Sequence, residues 1–354
     1  MDNLRFEKRA ALNPKPTDEN LGFGKIFTDY MFLMDHTGNS GWHDARIAPY
    51  GPLSLDPATS SLHYGQLIFE GFKAYRVKNG EIVMFRPRDN LERLNRSGER
   101  MCIPPIDVDF TLAAITELVR LERDWVPAWG GTSLYVRPFV LATDEFLGVS
   151  PSDKYLFLTI LSPVGSYYKE GMSPVRIYVE DKYARSGPGG TGFSKCAGNY
   201  AASLIAQRKA AERGFAQVLW LDGKERRYVE EIGTSNVFFV IDGEVITPPT
   251  GETVLAGITR DSAIQILRKQ GFTVTVREIT IDEVCGAYSA GKLSEAFATG
   301  TAAVVSSIGE LVWQDKPMPL SGGKIGNVTQ ALYDELTGIQ RCERDDPFGW
   351  VVKI

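Results

Sequence analysis

Residues Ser186–Leu204 read SGPGGTGFSKCAGNYAASL, with one lysine, Lys195, set between a glycine-rich loop and the start of a helix. Glycine lets main chain and ligand approach closely, so this composition suits a site as well as a turn. Gly187, Gly189 and Gly192 fit GxGxxG, which opens the reading of a dinucleotide loop. That fingerprint should follow directly on a strand and open a helix at once, whereas helical character here begins only near Asn199. A second reading makes Lys195 a Schiff-base lysine. Its amine would attack an aldehyde once a confined site lowers its pKa from the ordinary ~10.4. The third reading is a solvated surface lysine, which is what most lysines are.

Context comes from EEIGTSN, Glu230 to Asn236, which lies between two strand-like runs. Pyridoxal phosphate acts as an electron sink only while its ring nitrogen is protonated, and a carboxylate beside that nitrogen holds the proton there. Glu231 suits this task, and Glu230, one residue along a strand, is expected on the opposite face. An exposed pair of strand-end glutamates is the structural alternative. Phosphate needs oriented amides, and Gly257-Ile258-Thr259 before the helix RDSAIQIL and Gly300-Thr301-Ala302 in FATGTAAVV could supply them. Each turn could equally be plain N-capping. Arg93, in RDNLERL, is a candidate cation for the same phosphate.

Further outward, alternating and helical patterns fall into two blocks. AYRVKNGEIVMF carries a hairpin signal at Asn79-Gly80, Arg88–Met101 and Phe110–Trp125 read as helices, and SLYVRPFVLAT and KYLFLTILSPVG read as strands. GSYYKEGMSP then separates this block from VRIYVE, QVLWLDG, RRYVEEI and the hairpin NVFFVIDGEVITP, closed by Asp242-Gly243. The pattern predicts an α+β protein of two domains: a smaller N-terminal domain over 1–165, an interdomain loop over 166–174, and a larger mixed domain over 175–354. The first twenty or so residues, with Pro14 and Pro16 among polar neighbours, are expected to lie outside the ordered part, which begins near Phe23.

The chain has 354 residues, 43% of them hydrophobic and 23% charged, and a net charge of −5. That balance argues against a nucleic-acid partner, which would need a basic surface. Cys102, Cys196, Cys285 and Cys342 form no CxxC pair, and His36, His43 and His63 form no HExxH, so no metal is expected. No apolar stretch approaches the roughly 20 residues needed to cross a bilayer, and MDNLRFEKRA is too polar for a signal peptide. A cytoplasmic protein without membrane contact is expected.

Taken together, the segments LHYGQLIFEGFKAYR, FRPRDNLERL, SLYVRPF, LSPVGSYY, GGTGFSKCAGNY, EEIGTSN, LAGITRDS and ATGTAAVV resemble the branched-chain aminotransferases, the fold-type IV group of pyridoxal 5'-phosphate (PLP) enzymes, from about Phe23 to Gln340. The resemblance implies transamination between L-leucine, L-isoleucine or L-valine and 2-oxoglutarate. Other fold-type IV activities, on D-amino acids or as an aminodeoxychorismate lyase, share the cofactor machinery and stand as the alternative.

The resemblance also implies roles. Lys195 would hold the cofactor and shuttle the proton, Tyr200 would bind its phenolic oxygen and Glu231 its ring nitrogen. Arg93, Ile258, Thr259 and Thr301 would hold the phosphate. Thr301 and Ala302, assisted by Tyr135, would take the substrate carboxylate. Tyr64, Phe69, Tyr135 and Tyr167 would line an aromatic pocket, and Arg137 would pair with the side-chain carboxylate of glutamate. A homodimer is implied, with Tyr64 and Phe69 reaching into the neighbouring subunit.

Some animal members of that family carry a CxxC redox pair just after the GTA turn, but here the stretch reads Thr301-Ala302-Ala303-Val304-Val305-Ser306. A mild oxidant is therefore expected to leave activity unchanged. Strong inhibition that thiol reverses, followed in a coupled assay, would contradict this.

Overall fold

The computed structural model describes residues 4–17, 21–128, 130–165 and 172–354. The chain divides into two compact units, Met1–Tyr167 with Ser194–Ala197 and Ile339–Ile354, and Tyr168–Phe193 with Gly198–Gly338. The first unit is the longer, the reverse of the expected sizes. Two late segments return to it: the lysine segment and the C-terminal tail.

The first unit is built on a nine-stranded sheet. Ser133–Ala142 and Tyr155–Val164 pair antiparallel along their whole lengths at its centre. Phe72–Arg76 and Ile82–Phe85 form the hairpin that Asn79-Gly80 signals, and the tail strand Val351–Lys353 adds to its outer edge. The helices Pro87–Arg100 and Val108–Leu121 bury Leu91, Leu94, Ile115 and Leu118 in one core with Phe32, Phe72, Val136 and Phe157. Asp107 caps the second helix by accepting the Phe110 amide, as an N-cap aspartate should.

The N-terminal segment departs from expectation. Arg5–Phe6 pairs parallel with Arg46–Ile47, and the fully buried Asp29 accepts hydrogen bonds from the Asn13 amide at 2.8 Å, Lys15 Nζ at 2.9 Å and Trp125 Nε1 at 2.9 Å. A polar strap is thus held by one buried carboxylate, a partner that composition cannot reveal.

The second unit has its own nine-stranded sheet of mixed direction. Ser235–Ile241 and Glu244–Thr247 form the expected hairpin, with Asp242 and Gly243 both at positive φ, as a type I′ turn requires. The helices Ile258–Lys269 and Ile281–Ser289 lie in this unit, and its core joins Ile177, Leu219, Phe239, Ala298 and Leu311. No described helix is long and apolar enough to cross a membrane.

Candidate active site

In the first unit the main chain of Lys195 is fixed in both directions. Its N–H donates to Ser97 Oγ at 2.9 Å, and its carbonyl accepts the Phe69 N–H at 3.0 Å. The next residue, Cys196, makes a bridge to Ile68 and is buried in the core. Lys195 Nζ lies 5.1 Å from the centre of the Phe69 ring. The Phe69 ring thus lies beside the lysine of its own chain. The reason is register: Phe69 pairs with Phe139, which turns its ring to the sheet face that carries Arg137 and Tyr135.

On that face Arg137 lies against two rings, its guanidinium carbon 4.8 Å from the Phe69 centroid and 5.1 Å from that of Tyr135. Its Nη2 also donates to the Tyr135 hydroxyl at 3.2 Å. Cation–π contact fixes the guanidinium without consuming its hydrogen-bonding edge. Gly71 makes room for this arrangement, since a Cβ there would stand 1.8 Å from the Tyr135 hydroxyl oxygen.

Arg93 is buried and paired through Nε and Nη2 with both oxygens of buried Glu70, at 2.7 and 2.9 Å. Tyr64 is exposed and donates to the Leu147 carbonyl. Tyr167 lies outside the described residues.

The second unit gathers the remaining candidates around the strand that begins at Ser235. Glu231 pairs with Asn236 on one side, and Asn236 pairs with Thr299 on the other. Gly257 starts the helix Ile258–Lys269 and offers no capping side chain, leaving the amides of Ile258 and Thr259 at a positive helix end. A Cβ on Gly257 would lie 2.0 Å from Asn236 Oδ1, and one on Gly300 would lie 2.8 Å from Ser235 Oγ. The two turns therefore abut adjacent residues of one strand, Asn236 and Ser235. Thr301 and Ala302 sit in the tight connection between strands Leu293–Gly300 and Val304–Trp313, closed by Val304 at φ 64°. A β-branched residue rarely adopts that conformation, and strain of about 1–3 kcal/mol is typical where it does. Tyr200 lies on the first turn and a half of the helix Ala197–Glu212.

The two glutamates do not alternate as expected. Leu219 pairs with Ile232 and Leu221 with Val229, so Glu230 and Glu231 together oppose the single residue Trp220. Such a bulge breaks the in-and-out alternation of a strand, and both residues are buried, Glu230 4% and Glu231 3% exposed. Glu231 Oε1 accepts the Leu255 amide at 2.7 Å, and its Oε2 lies 3.4 Å from Arg185 Nε.

Sequence reading missed Arg185, Glu70 and Ser97, which hold candidate groups without lying in a recognisable motif, and Phe23, whose ring meets Tyr135 edge-on at 5.2 Å. It also missed Lys73, which pairs directly with Tyr135 across the sheet. Burial first, and then the charge of Arg341, lower the Lys73 amine to about 7.

Residues 67–311 match the amino-transferase class IV family. The chain is 51% identical to branched-chain-amino-acid aminotransferase 2 of Bacillus subtilis (strain 168), over 99% of this chain and 97% of that protein. It is 54% identical to branched-chain-amino-acid transaminase 1 of the same organism, over 99% of each. Among solved structures, the Escherichia coli branched-chain amino acid aminotransferase superposes with a TM-score of 0.76 at 25% identity, covering 91% of this chain and 98% of that one. A T.th. branched-chain amino acid aminotransferase with pyridoxamine 5'-phosphate gives 0.75 at 26%, covering 93% and 99%. The chain belongs to the class IV aminotransferases, and within them to the branched-chain-amino-acid aminotransferases.

The Gly257 turn gives a direct test of the cradle. Gly257→Ala should keep the protein folded yet weaken PLP binding to the apoprotein by at least about tenfold, roughly 1.4 kcal/mol. Unchanged affinity in a fluorescence titration would remove this turn from the site.

Proposed function

We propose that the chain catalyses reversible amino transfer between L-leucine, L-isoleucine or L-valine and 2-oxoglutarate, with PLP held by Lys195. The observation that carries this reading is the Phe69–Arg137–Tyr135 stack beside Lys195 Nζ. Ring faces accept an aliphatic side chain, and the guanidinium edge accepts the second carboxylate of glutamate. Both substrates of the reaction find a surface on one wall.

The residues present suit the cofactor. At Gly257 and Gly300 a Cβ would collide with Asn236 and Ser235, so both turns pack closely on one strand, and the first opens a helix whose N-terminus favours an anion. A buried carboxylate, Glu231, suits a protonated pyridine nitrogen. When bound, PLP supplies the electron sink that acidifies the substrate α-carbon. Lys195 Nζ would then move the proton between that carbon and the cofactor's aldehyde carbon. Glu231 would keep the proton on the ring nitrogen, and Tyr200 would donate to the phenolic oxygen. The Ile258 and Thr259 amides, Thr301 and Arg93 would hold the phosphate. For Arg93 the Glu70 pair fixes the direction of the fork, so the contact would be oriented as well as charged. Thr301 and Ala302, with the Tyr135 hydroxyl, would receive the substrate carboxylate.

The visible spectrum of the purified protein tests this. It should show the band of lysine-linked cofactor, and L-leucine without any 2-oxo acid should convert it to the pyridoxamine form. Lys195→Ala should bind PLP without that band and fail to convert. A band that D-alanine discharges and L-leucine leaves untouched would move the protein to a D-amino-acid activity, and no band after reconstitution would reject Lys195 as the holder.

A homodimer is part of the same reading. The helix Ser60–Tyr64 and the loop after Ala142 expose Leu62, Tyr64, Phe146, Leu147 and Val149, with Leu147 65% and Val149 85% exposed. The loop is nonetheless pinned, by Ser60 N–H to the Asp144 carbonyl at 2.9 Å and Phe146 N–H to the Ala58 carbonyl at 3.1 Å. A rigid apolar patch of this kind fits a partner surface, here a second copy. Leu147→Asp should shift the protein from dimer to monomer in light scattering, and a variant that remains fully dimeric would separate this patch from the interface.

A further inference from the structure

Beside Glu231 the second unit buries another acid, one that the proposed function leaves without a task. The bulge opposite Trp220 turns Glu230 inward together with Glu231, and one arginine, Arg185, serves both. Arg185 lies 3.4 Å from Glu231 Oε2 and uses Nη2 on the carbonyls of Gly192 and Thr253. Glu231 also takes the Leu255 amide at 2.7 Å, whereas Glu230 Oε2 is buried without a hydrogen-bond partner among the described residues. Two buried carboxylates facing one cation cannot both ionise cheaply. The charge belongs to Glu231, which holds the ion pair and the amide, and the proton to Glu230.

We propose that Glu230 is a positioning residue for the ring-nitrogen carboxylate: a neutral acid that, on losing its proton, sets a second negative charge beside Glu231 and tightens the hold on a protonated pyridine. The inference rests on the proposed function, since it takes Glu231 as the partner of the cofactor nitrogen. The groups that face Glu230 are the Thr253 hydroxyl, Arg185 on the segment after Val175–Glu180, Glu231 on its own strand, and Asp222 at the end of Gln217–Leu221. Arg260, on the helix behind, feels Glu231 as well. Burial is the largest influence and raises the Glu230 carboxyl from an ordinary 4.5 to about 7, with Arg185 and Thr253 opposing it and Glu231 and Asp222 adding to it.

The sign follows from linkage. Between about 4.5 and about 7 the folded protein keeps this proton while the unfolded chain has lost it. The stabilising contribution of the neutral acid is therefore complete below that window and declines as pH rises through it. Cofactor binding acts in the opposite sense. A pyridinium beside Glu231 favours ionised Glu230, so binding releases a proton, and by reciprocity a higher pH tightens binding.

The test uses apoprotein and pyridoxamine 5'-phosphate, which binds without a covalent step at Lys195. Its affinity is measured from about pH 6 to about pH 8 for wild type, Glu230→Gln and Glu231→Gln. Calorimetry in two buffers of different ionisation heat counts the protons released. Wild-type affinity should rise at least about threefold more than that of Glu230→Gln across the interval, with proton release that the variant lacks. Melting of the apoprotein should likewise lose part of its decline between acid and neutral pH in Glu230→Gln. Superimposed affinity profiles and equal proton counts, with tight binding by both proteins, would overturn the role of Glu230 and leave the proposed function standing. Failure of wild type to bind pyridoxamine 5'-phosphate would overturn the proposed function and this role with it. Wild-type-like binding by Glu231→Gln would overturn the link through Glu231.

Discussion

Everything a cofactor-holding lysine could do depends on its main chain staying still, and the main chain of Lys195, proposed for that task, is fixed by two hydrogen bonds from different elements. Ser97, on the helix Pro87–Arg100, takes the Lys195 N–H, and the strand residue Phe69 gives its own N–H to the Lys195 carbonyl. Each bond contributes only about 1 kcal/mol to stability. Under the proposed function their value lies in position, because an amine that has to reach both a cofactor and a substrate carbon loses rate steeply when it strays by an ångström. Burial of Cys196 immediately afterwards completes the anchor. The side chain of Lys195 is therefore the movable part of a residue whose origin is fixed.

Buried charge is handled by pairing, and the pairs are not alike. Arg93 meets Glu70 with two short bonds, a closed arrangement in which neither oxygen of the acid is left over. A pair of this kind rarely adds net stability, since desolvation cancels most of the attraction, but breaking it is costly, so it holds the guanidinium in one orientation. Arg185 meets Glu231 at longer range and divides its donors among two carbonyls. That looser balance leaves room for Glu230 to hold or lose a proton in the same pocket of charge.

The local geometry of the candidate segments was legible because it is set within a few residues. A lysine before a helix, a glycine turn at a helix start and an Asp-Gly hairpin turn carry their geometry within a few residues, and Asp242-Gly243 adopts the backbone its sequence requires. What escaped reading depends on register between distant strands. Whether Glu230 faces the same way as Glu231 is decided by one unmatched residue opposite Trp220. Whether Phe69 faces its own lysine is decided by its pairing with Phe139. The strap at Asn13 and Lys15 looked too polar to be ordered because its partner, Asp29, lies in another part of the chain. The Ile339–Ile354 tail likewise gives no local sign that it returns to the first unit's sheet.

A surface that takes leucine and also glutamate has to tolerate a carboxylate without becoming hydrophilic. Under the proposed function Arg137 resolves this with its guanidinium carbon about 5 Å from the centres of the Phe69 and Tyr135 rings. The nearby rings already take part of its hydration shell, so an apolar substrate would impose less desolvation on it than on a free cation. Its edge keeps the fork that a carboxylate can match. A lysine at the same position could not divide its surface in this way, because an ammonium is a compact and strongly hydrated charge. Lys73 stands across the sheet from Tyr135 with its amine lowered to about 7 by burial. At neutral pH it is therefore about half protonated and adds only part of a charge to that wall, so under the proposed function the balance between the two kinds of substrate rests on Arg137.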